Sequence, residues 1–384
     1  MLQMKKVHYL VSFIVITMLA LAGCGDKSAD GAKNSSNDKK AGFEEVDSFE
    51  LEGPITNVNF SLDEDGDTLI WGETDGEIGE DKRRYAWVDG EAKELDIERY
   101  DHFASLLPSG IIFNTVWDHD KEEEKYSIVE YDPATDEETE FVVTDSDHDT
   151  YPLPSHGVYL EDPKTYVHTV TNTKFDDSET FIWDVEANEY TDVTFIQDMK
   201  KDAGVDELPS YPHFFLSSDA SMIYATVLDT GVYAYDVEAG KTEKLLESDN
   251  IGPGDSYSTT LTSDDQYMTY ATYEEGEDSM SVNITYQAVD VESGDTIDIG
   301  EGRALFTLSD GNVIIVDKTD DDERVVKYFD FETEELETIH TIEEKEDMEI
   351  DNVTVSLDGS TIAYGYTEKG EDDDTSYMTI LSNK

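Results

Sequence analysis

Apolar and polar residues alternate along most of the chain beyond residue 46, in short runs that end at Asp, Ser or Gly. In FLSSDASMIYATV, Phe215 to Val227, the apolar Ile223, Ala225 and Val227 share one face. A two-residue period is that of a half-buried strand. The Ser-Asp, Asp-Gly and Ala-Gly pairs between runs supply side-chain turn bonds and tolerate positive φ, as hairpins require. The pattern therefore predicts strands joined by tight hairpins, with one interruption. FIQDMKKDAGVDELPSYP, Phe195 to Pro212, sets Phe195, Ile196 and Met199 at helical spacing and ends in Pro209 and Pro212. A surface helix is expected there. Because loops on rigid scaffolds often carry binding, this segment is the first choice for a partner-contacting element.

Two phrases recur. The first is an apolar strand, a Ser-x-Asp turn and a second apolar strand: NFSLDEDGDTLIWGE, FLSSDASMIYATV, TLTSDDQYMTYATY, FTLSDGNVIIVDK and VTVSLDGSTIAYGY, with looser copies SLLPSGIIFNT and YPLPSHGVYLED. Its turns fall at Asp63, Ser109, Ser155, Asp219, Asp264, Asp310 and Asp358. Apart from one longer step that contains the helical segment, the spacing is about 46 residues, and fixed-period self-similarity marks stacked units. The second phrase sets an apolar or aromatic residue before Asp, then a turn, then an acidic strand. It reads WVDGEAKEL, EYDPATDEETEF, IWDVEANEYTDV, YDVEAGKTEKL, AVDVESGDTIDI and YFDFETEELETI. Together the phrases give four antiparallel strands per unit and seven units, an all-β, seven-bladed β-propeller. In the fourth unit, Tyr235-Asp236 ends the third strand, Val237 to Gly240 turns, and Lys241 to Leu246 forms the outer strand.

The second phrase occurs six times, not seven. The last unit stops one strand short at Lys384, whereas SFELEG, Ser48 to Gly53, precedes the first unit without a hairpin partner. This N-terminal strand is expected to complete the last blade, which ties the chain ends together and covers an open edge. The turns Ser61-Leu62-Asp63 and Ser356-Leu357-Asp358-Gly359, and more weakly Ser217-Ser218-Asp219, resemble the Ser-Pro-Asp-Gly-type turns of TolB-like, WD-repeat-related propellers, although the Pro is absent throughout. The resemblance implies architecture over about residues 47–384 and is close to silent on chemistry, because propellers host unrelated functions.

The formal charge of −66 changes the picture of the surface. Such a surface repels nucleic acid and anionic lipid, whose binding needs clustered Lys and Arg. It fits a salty or alkaline medium, in which screening relieves self-repulsion, or else a basic or multivalent cationic partner.

The opening MLQMKKVHYLVSFIVITMLALAGCG combines basic Lys5 and Lys6 with an apolar stretch, Tyr9 to Ala22, short for a membrane span. Leu21-Ala22-Gly23 then meets Cys24, the only cysteine, in a pattern that resembles the lipobox of bacterial lipoproteins. The resemblance implies cleavage before Cys24 and acylation of its sulfur. Residues 1–23 are thus expected to be a signal peptide, 24–46 a lipidated cysteine with a flexible polar linker, and 47–384 the propeller. Cleavage would leave the chain two charges more negative. Gly25 stands where Asp would mark inner-membrane retention in many Gram-negative lipoproteins. The expected location is the extracytoplasmic face of a Gram-positive cell membrane, with the chain held there by lipid on Cys24.

Candidate chemistry is sparse. His102, His119, His148, His156, His168, His213 and His340 show no compact zinc spacing, and the body of the chain has no cysteine to assist. Calcium could be offered oxygens by Asp63-Glu64-Asp65-Gly66-Asp67, Asp145-Ser146-Asp147-His148-Asp149 or Asp320-Asp321-Asp322, yet none has both the Gly and the Glu of an EF-hand loop. No G-x-S-x-G elbow, phosphate loop or dinucleotide fingerprint occurs. Trp71, Trp87, Trp117 and Trp183 are expected in the core between blades, with a carbohydrate or peptide platform as the alternative. The reading is a non-enzymatic binding or scaffold module for a protein, peptide or envelope component, with no cofactor and no catalytic residue assigned. The alternative is a carboxylate-based hydrolase or lyase at the central channel, with calcium assisting.

Overall fold

The computed structural model describes residues 42–384 except 54, 74–82, 89, 96–104, 119–124, 143–153, 172–177, 207, 209–212, 253–258, 276–281, 320–322, 345–347 and 371–373. Strand β1 (Glu44–Glu50) precedes seven antiparallel sheets. Blade 1 comprises β2 (Ile55–Leu62), β3 (Thr68–Glu73), β4 (Arg83–Val88) and β5 (Glu91–Glu94). Blade 2 comprises β6 (Ser105–Leu106), β7 (Ile112–Asp118), β8 (Lys125–Asp132) and β9 (Glu137–Val142). Blade 3 has β10 (Pro154–Leu160), β11 (Thr165–Thr171), β12 (Ser178–Asp184) and β13 (Glu189–Val193), and is followed by helix α1 (Phe195–Ala203).

Blade 4 has β14 (His213–Leu216), β15 (Met222–Val227), β16 (Gly231–Asp236) and β17 (Lys241–Glu247). Blade 5 has β18 (Tyr267–Glu275), β19 (Val282–Asp290) and β20 (Thr296–Glu301). Its innermost position is held by bridges Ile251↔Thr272 and Leu261↔Met268, not by a continuous strand. Blade 6 has β21 (Ala304–Thr307), β22 (Val313–Lys318), β23 (Arg324–Asp330) and β24 (Glu335–Ile342). Blade 7 has β25 (Met348–Val355), β26 (Thr361–Glu368) and β27 (Thr375–Ser382), with β1 as its outer strand.

Among the described residues, seven apolar clusters hold the sheets together, and each spans two neighbouring blades. The one that closes the ring joins Ala363, Met378 and Ile380 of blade 7 to Leu69, Trp71 and Tyr85 of blade 1. Both faces of the middle strands are therefore buried, which explains wholly apolar stretches such as Ile314-Ile315-Val316 in β22. Outer strands face solvent along one edge and are acidic, as in Glu335-Leu336-Glu337 of β24, which discourages pairing with a foreign strand.

The closing strand lies where the sequence places it. β1 runs antiparallel to β27, with Phe49 opposite Met378 and Asp47 opposite Ile380. It begins at Glu44, before the expected boundary at residue 47, and ends at Glu50. Six outer hairpins carry the second phrase, and the seventh such hairpin is replaced by the two chain ends. Asp236 shows why the phrase needs its Asp: Oδ1 accepts the Ala239 N–H at 2.7 Å, while its carbonyl accepts the Gly240 N–H at 2.9 Å. Asp132, Asp184, Asp290 and Asp330 accept turn N–H groups in the same way.

Two details of the repeat differ from the sequence reading. Ser155 is inside β10, and the third inner hairpin turns at residues 161–164. In blade 1, Asp63 occupies the place of Ser356, not of Asp358. Its N–H donates to the Thr68 carbonyl and its Oδ1 accepts from Thr68 N, as Ser356 does with Thr361. A carboxylate can accept the N–H that the Ser hydroxyl accepts, so the Ser-x-Asp match in the sequence is shifted by two positions.

Candidate functional site

The chemistry-bearing residues that recur with the repeat gather at the inner hairpins, most regularly in blades 4, 5 and 7. In blade 7, Ser356 Oγ accepts the Thr361 N–H at 3.0 Å and donates to Asp358 Oδ1 at 2.7 Å, while Asp358 Oδ1 accepts from Ser360 N. Blade 4 repeats this with Ser217, Asp219, Ser221 and Met222, and blade 5 with Thr262, Asp264, Gln266 and Tyr267. The hydrogen bonds to Asp219, first from the Ser221 side chain, hold its carboxyl down at about 2. These carboxylates serve their own turns.

The hairpins also grip one another. Ser218 N and Oγ donate to Asp265 across the junction of blades 4 and 5, and Ser263 Oγ donates to the Leu308 carbonyl at 2.6 Å across blades 5 and 6. Ser309 N donates to Leu357 O, Asp358 N to Glu64 O and Glu64 N to Pro108 O, which carries the chain of bonds through blades 6, 7, 1 and 2. Close approach explains the glycine in these turns. Gly66 has φ +70°, and a Cβ there would lie 2.4 Å from Thr361 Cβ. Lys384 completes the seam, its Nζ hydrogen-bonding the Asp65 carbonyl and reaching Asp67 Oδ1 at 3.3 Å.

Of the three aspartate clusters considered for calcium, only Asp63–Asp67 lies among the described residues. Asp63 is buried, its Oδ1 turned to the N–H groups of Asp67 and Thr68, and burial pushes its carboxyl up. No group of three or more metal-ligating side chains is found among the described residues. Asp145, Asp147, Asp149 and Asp320–Asp322 lie outside them, as do Cys24, His102, His119 and His148.

The backbones of His156 and His168 lie on paired strands, with His168 opposite Gly157. His340 is half-buried, its ring 5.3 Å from that of Phe43, and burial lowers its basicity. Trp71, Trp87 and Trp183 are buried between sheets, as core packing requires.

The helical segment differs from its expected role. Phe195, Ile196 and Met199 are fully buried with Val167 and Ile182 of blade 3 and Phe214 and Tyr235 of blade 4. The apolar face of α1 is spent as a wedge between two blades. Its polar face is tied down as well: Asp198 accepts from Thr242 at 3.0 Å, and Asp202 pairs with Lys244 at 2.6 Å.

Two polar clusters escaped sequence reasoning, since each bridges blades with partners distant in the chain, Glu130 with Tyr159 and Lys164, and Glu73 with Gly53. Glu130 accepts from Tyr159 at 2.5 Å and from Lys164 at 2.6 Å, joining blades 2 and 3. Glu73 is buried at the closure, where it accepts from Trp71 Nε1 at 2.9 Å and from Gly53 N at 2.8 Å, and burial pushes its carboxyl up. Both act as clamps.

No family model and no curated protein match the chain. Solved structures do. Oligogalacturonate lyase from Vibrio parahaemolyticus is similar over 88% of this chain and 98% of its own, with TM-score 0.53 and 12% identity. Oligogalacturonate lyase in complex with manganese gives TM-score 0.55 and 13% identity over 88% of this chain and 96% of that one. The β-propeller domain of the Trilobed protease from Pyrococcus furiosus, described as an open velcro topology, gives 0.51 and 12% over 84% and 96%. At such identities the likeness shows the fold alone: this chain is a seven-bladed β-propeller closed by its N-terminal strand.

Proposed function

We propose that the chain is a lipid-anchored binding scaffold on the extracytoplasmic face of a Gram-positive cell membrane, a TolB-like propeller held by acylated Cys24 and engaging a protein or envelope component. One observation carries the non-enzymatic part. The Ser, Thr and Asp side chains that recur with the repeat spend their hydrogen-bonding capacity within and between turns. The repeat thus encodes a rigid ring, and rigid scaffolds present binding surfaces with little ordering cost. The anchor rests on Leu21-Ala22-Gly23-Cys24 after the apolar stretch.

The test uses the full lipidated chain in vesicles and the soluble domain, residues 43–384. Envelope extracts from the source bacterium are passed over the domain at low and high salt, and both forms are incubated with oligogalacturonate and manganese. The proposal predicts a reproducible retained partner and no unsaturated product. Product formation that saturates with substrate would overturn it in favour of the lyase alternative.

A further inference from the structure

The closing strand is two segments with a hinge between them. The β1–β27 register shifts between Glu45 and Asp47, a bulge that leaves Val46 56% exposed. After the bulge, three side-chain contacts hold the strand: Trp87 Nε1 donates to Asp47 Oδ2 at 2.7 Å, Ser48 Oγ lies 3.1 Å from Thr379 Oγ1, and Phe49 meets Trp71. Before it, Glu44 and Glu45 are exposed and pair with Ser382 and Leu381 of β27. The apolar anchor of this short half is Phe43, which joins the cluster between blades 6 and 7 with its ring 5.3 Å from that of His340. His340 of β24 lies opposite Val326 of β23 and shares its face, which looks toward blade 7.

We infer that Phe43 and His340 form an acid-sensitive latch on the closing strand: protonation of the imidazole releases residues 43–45 at the Val46 hinge, while residues 47–50 keep the ring closed. The reason lies in the setting of the imidazole. Its neutral form has one N–H to satisfy, whereas the protonated form has two and carries a charge. His340 is half-buried at the cluster of Phe43, Val326 and Ile342, and no carboxylate pairs with it among the described residues. The charges on the surrounding elements are engaged elsewhere or face solvent. Arg324 of β23 donates to the Ile350 carbonyl and lies 3.9 Å from Glu344, Lys327 pairs with Asp317, and Glu349 of β25 pairs with Lys369. Glu44 and Glu45 beside β27, Glu335, Glu337 and Glu343 along or just past β24, and Glu368 of β26 are exposed. Tyr328, Tyr364 and Tyr366 on the facing sheets are pushed up by burial and stay neutral. Burial alone thus acts on His340 and lowers its basicity. The contact of the neutral ring is complete above the ordinary value of 6.5 and weakens as pH falls through 6.5 toward the lower folded value. Release of residues 43–45 hydrates the imidazolium and leaves Leu381 and Ser382 without their outer partner, an open edge that is covered at neutral pH. The latch does not depend on the anchor at Cys24.

The test follows the full chain by NMR from about pH 8 to about pH 5, the range in which histidine titrates. The His340 imidazole is expected to titrate below 6.5. Over the same range the nuclear Overhauser contact between the Phe43 and His340 rings should weaken by about threefold as the open form gains population. The amide signals of Glu44 and Glu45 should move toward their unfolded positions, with those of residues 48–50 unchanged. His340→Gln, uncharged throughout, should remove the pH dependence, and Phe43→Ala should release residues 43–45 at every pH. An imidazole that titrates at or above 6.5, as a cation–π contact with Phe43 would bring about, overturns the latch. So does an acid response that persists in His340→Gln, or one that spreads equally to residues 48–50. Should either variant fail to fold, the titration of the unsubstituted chain decides by itself.

Discussion

Blade 3 and the rest of the ring solve the same packing problem by different means. From blade 4 through 5, 6, 7 and 1 to blade 2, each inner hairpin hydrogen-bonds the next, in bonds of 2.6 to 3.0 Å such as Ser263 Oγ to Leu308 O and Glu64 N to Pro108 O. Blade 3 is held differently: on one side the Glu130–Lys164–Tyr159 clamp reaches from its inner hairpin to β8 of blade 2, and on the other α1 packs against β12 and β17. The inner mode needs only a few residues at fixed spacing and can be copied from blade to blade. The outer mode, the α1 wedge, needs apolar volume and an inserted helix, Phe195–Ala203, and it belongs to one place. The comparison teaches that regularity in this sequence reports hairpin contacts near the axis, while departures from it report rim packing.

The largest effect is expected where the outer mode is broken. Phe195→Ala removes a fully buried ring from the wedge and should destabilise by about 3–5 kcal/mol. Hydrogen exchange should quicken first in β11, β12, β15 and β16, with β22 and β26 still protected. Uniform loss of protection would erase the distinction between the two modes. Next comes the inner mode at the closing junction. Gly66→Ala forces a side chain into a left-handed turn and against Thr361, with an expected cost of about 2–3 kcal/mol and faster exchange at the junction of blades 7 and 1.

A smaller effect is expected from Ser356→Ala, which leaves the buried Thr361 N–H without its hydroxyl acceptor. About 1–3 kcal/mol should be lost in urea unfolding, and a similar loss from Ser217→Ala would show that the turns are equivalent. The smallest concerns pH. Asp219 is held at about 2 against an ordinary 3.8, so its stabilising contribution is complete above pH 3.8 and disappears as pH falls through 2. Asp219→Asn should therefore be less stable than the parent at neutral pH, with the gap in unfolding midpoint closing over that window. A gap that persists at pH 2 would mean the turn bonds do not depend on charge.

Much of the ring was legible because its turns are local. Asp236 and Gly240 lie within one hairpin, so their spacing survives in the sequence as a phrase. The missing seventh phrase pointed to β1 for the same reason. The third inner hairpin was misplaced because Pro154-Ser155 imitates Pro108-Ser109, whereas the chain turns at residues 161–164. Blade 1 was read out of register because Asp63 does the work of a serine. The helix was legible from Phe195, Ile196 and Met199, but its partners lie on two blades and spacing alone could not show that its apolar face is occupied. The clamps at Glu73 and Glu130 were not legible, because the Gly53–Glu73 and Glu130–Lys164 bonds join residues brought together only by the ring.

Ring closure by the N-terminal strand is the claim on which the rest stands, and it has a direct test. Ser48 Oγ and Thr379 Oγ1 lie 3.1 Å apart across the β1–β27 pair. With Cys24 replaced by Ser, the double variant Ser48→Cys/Thr379→Cys should form a disulfide on mild oxidation, and the oxidised protein should unfold at a higher urea concentration than the reduced one. Thiols that remain free under the same oxidation, in a protein that is otherwise folded, would contradict it.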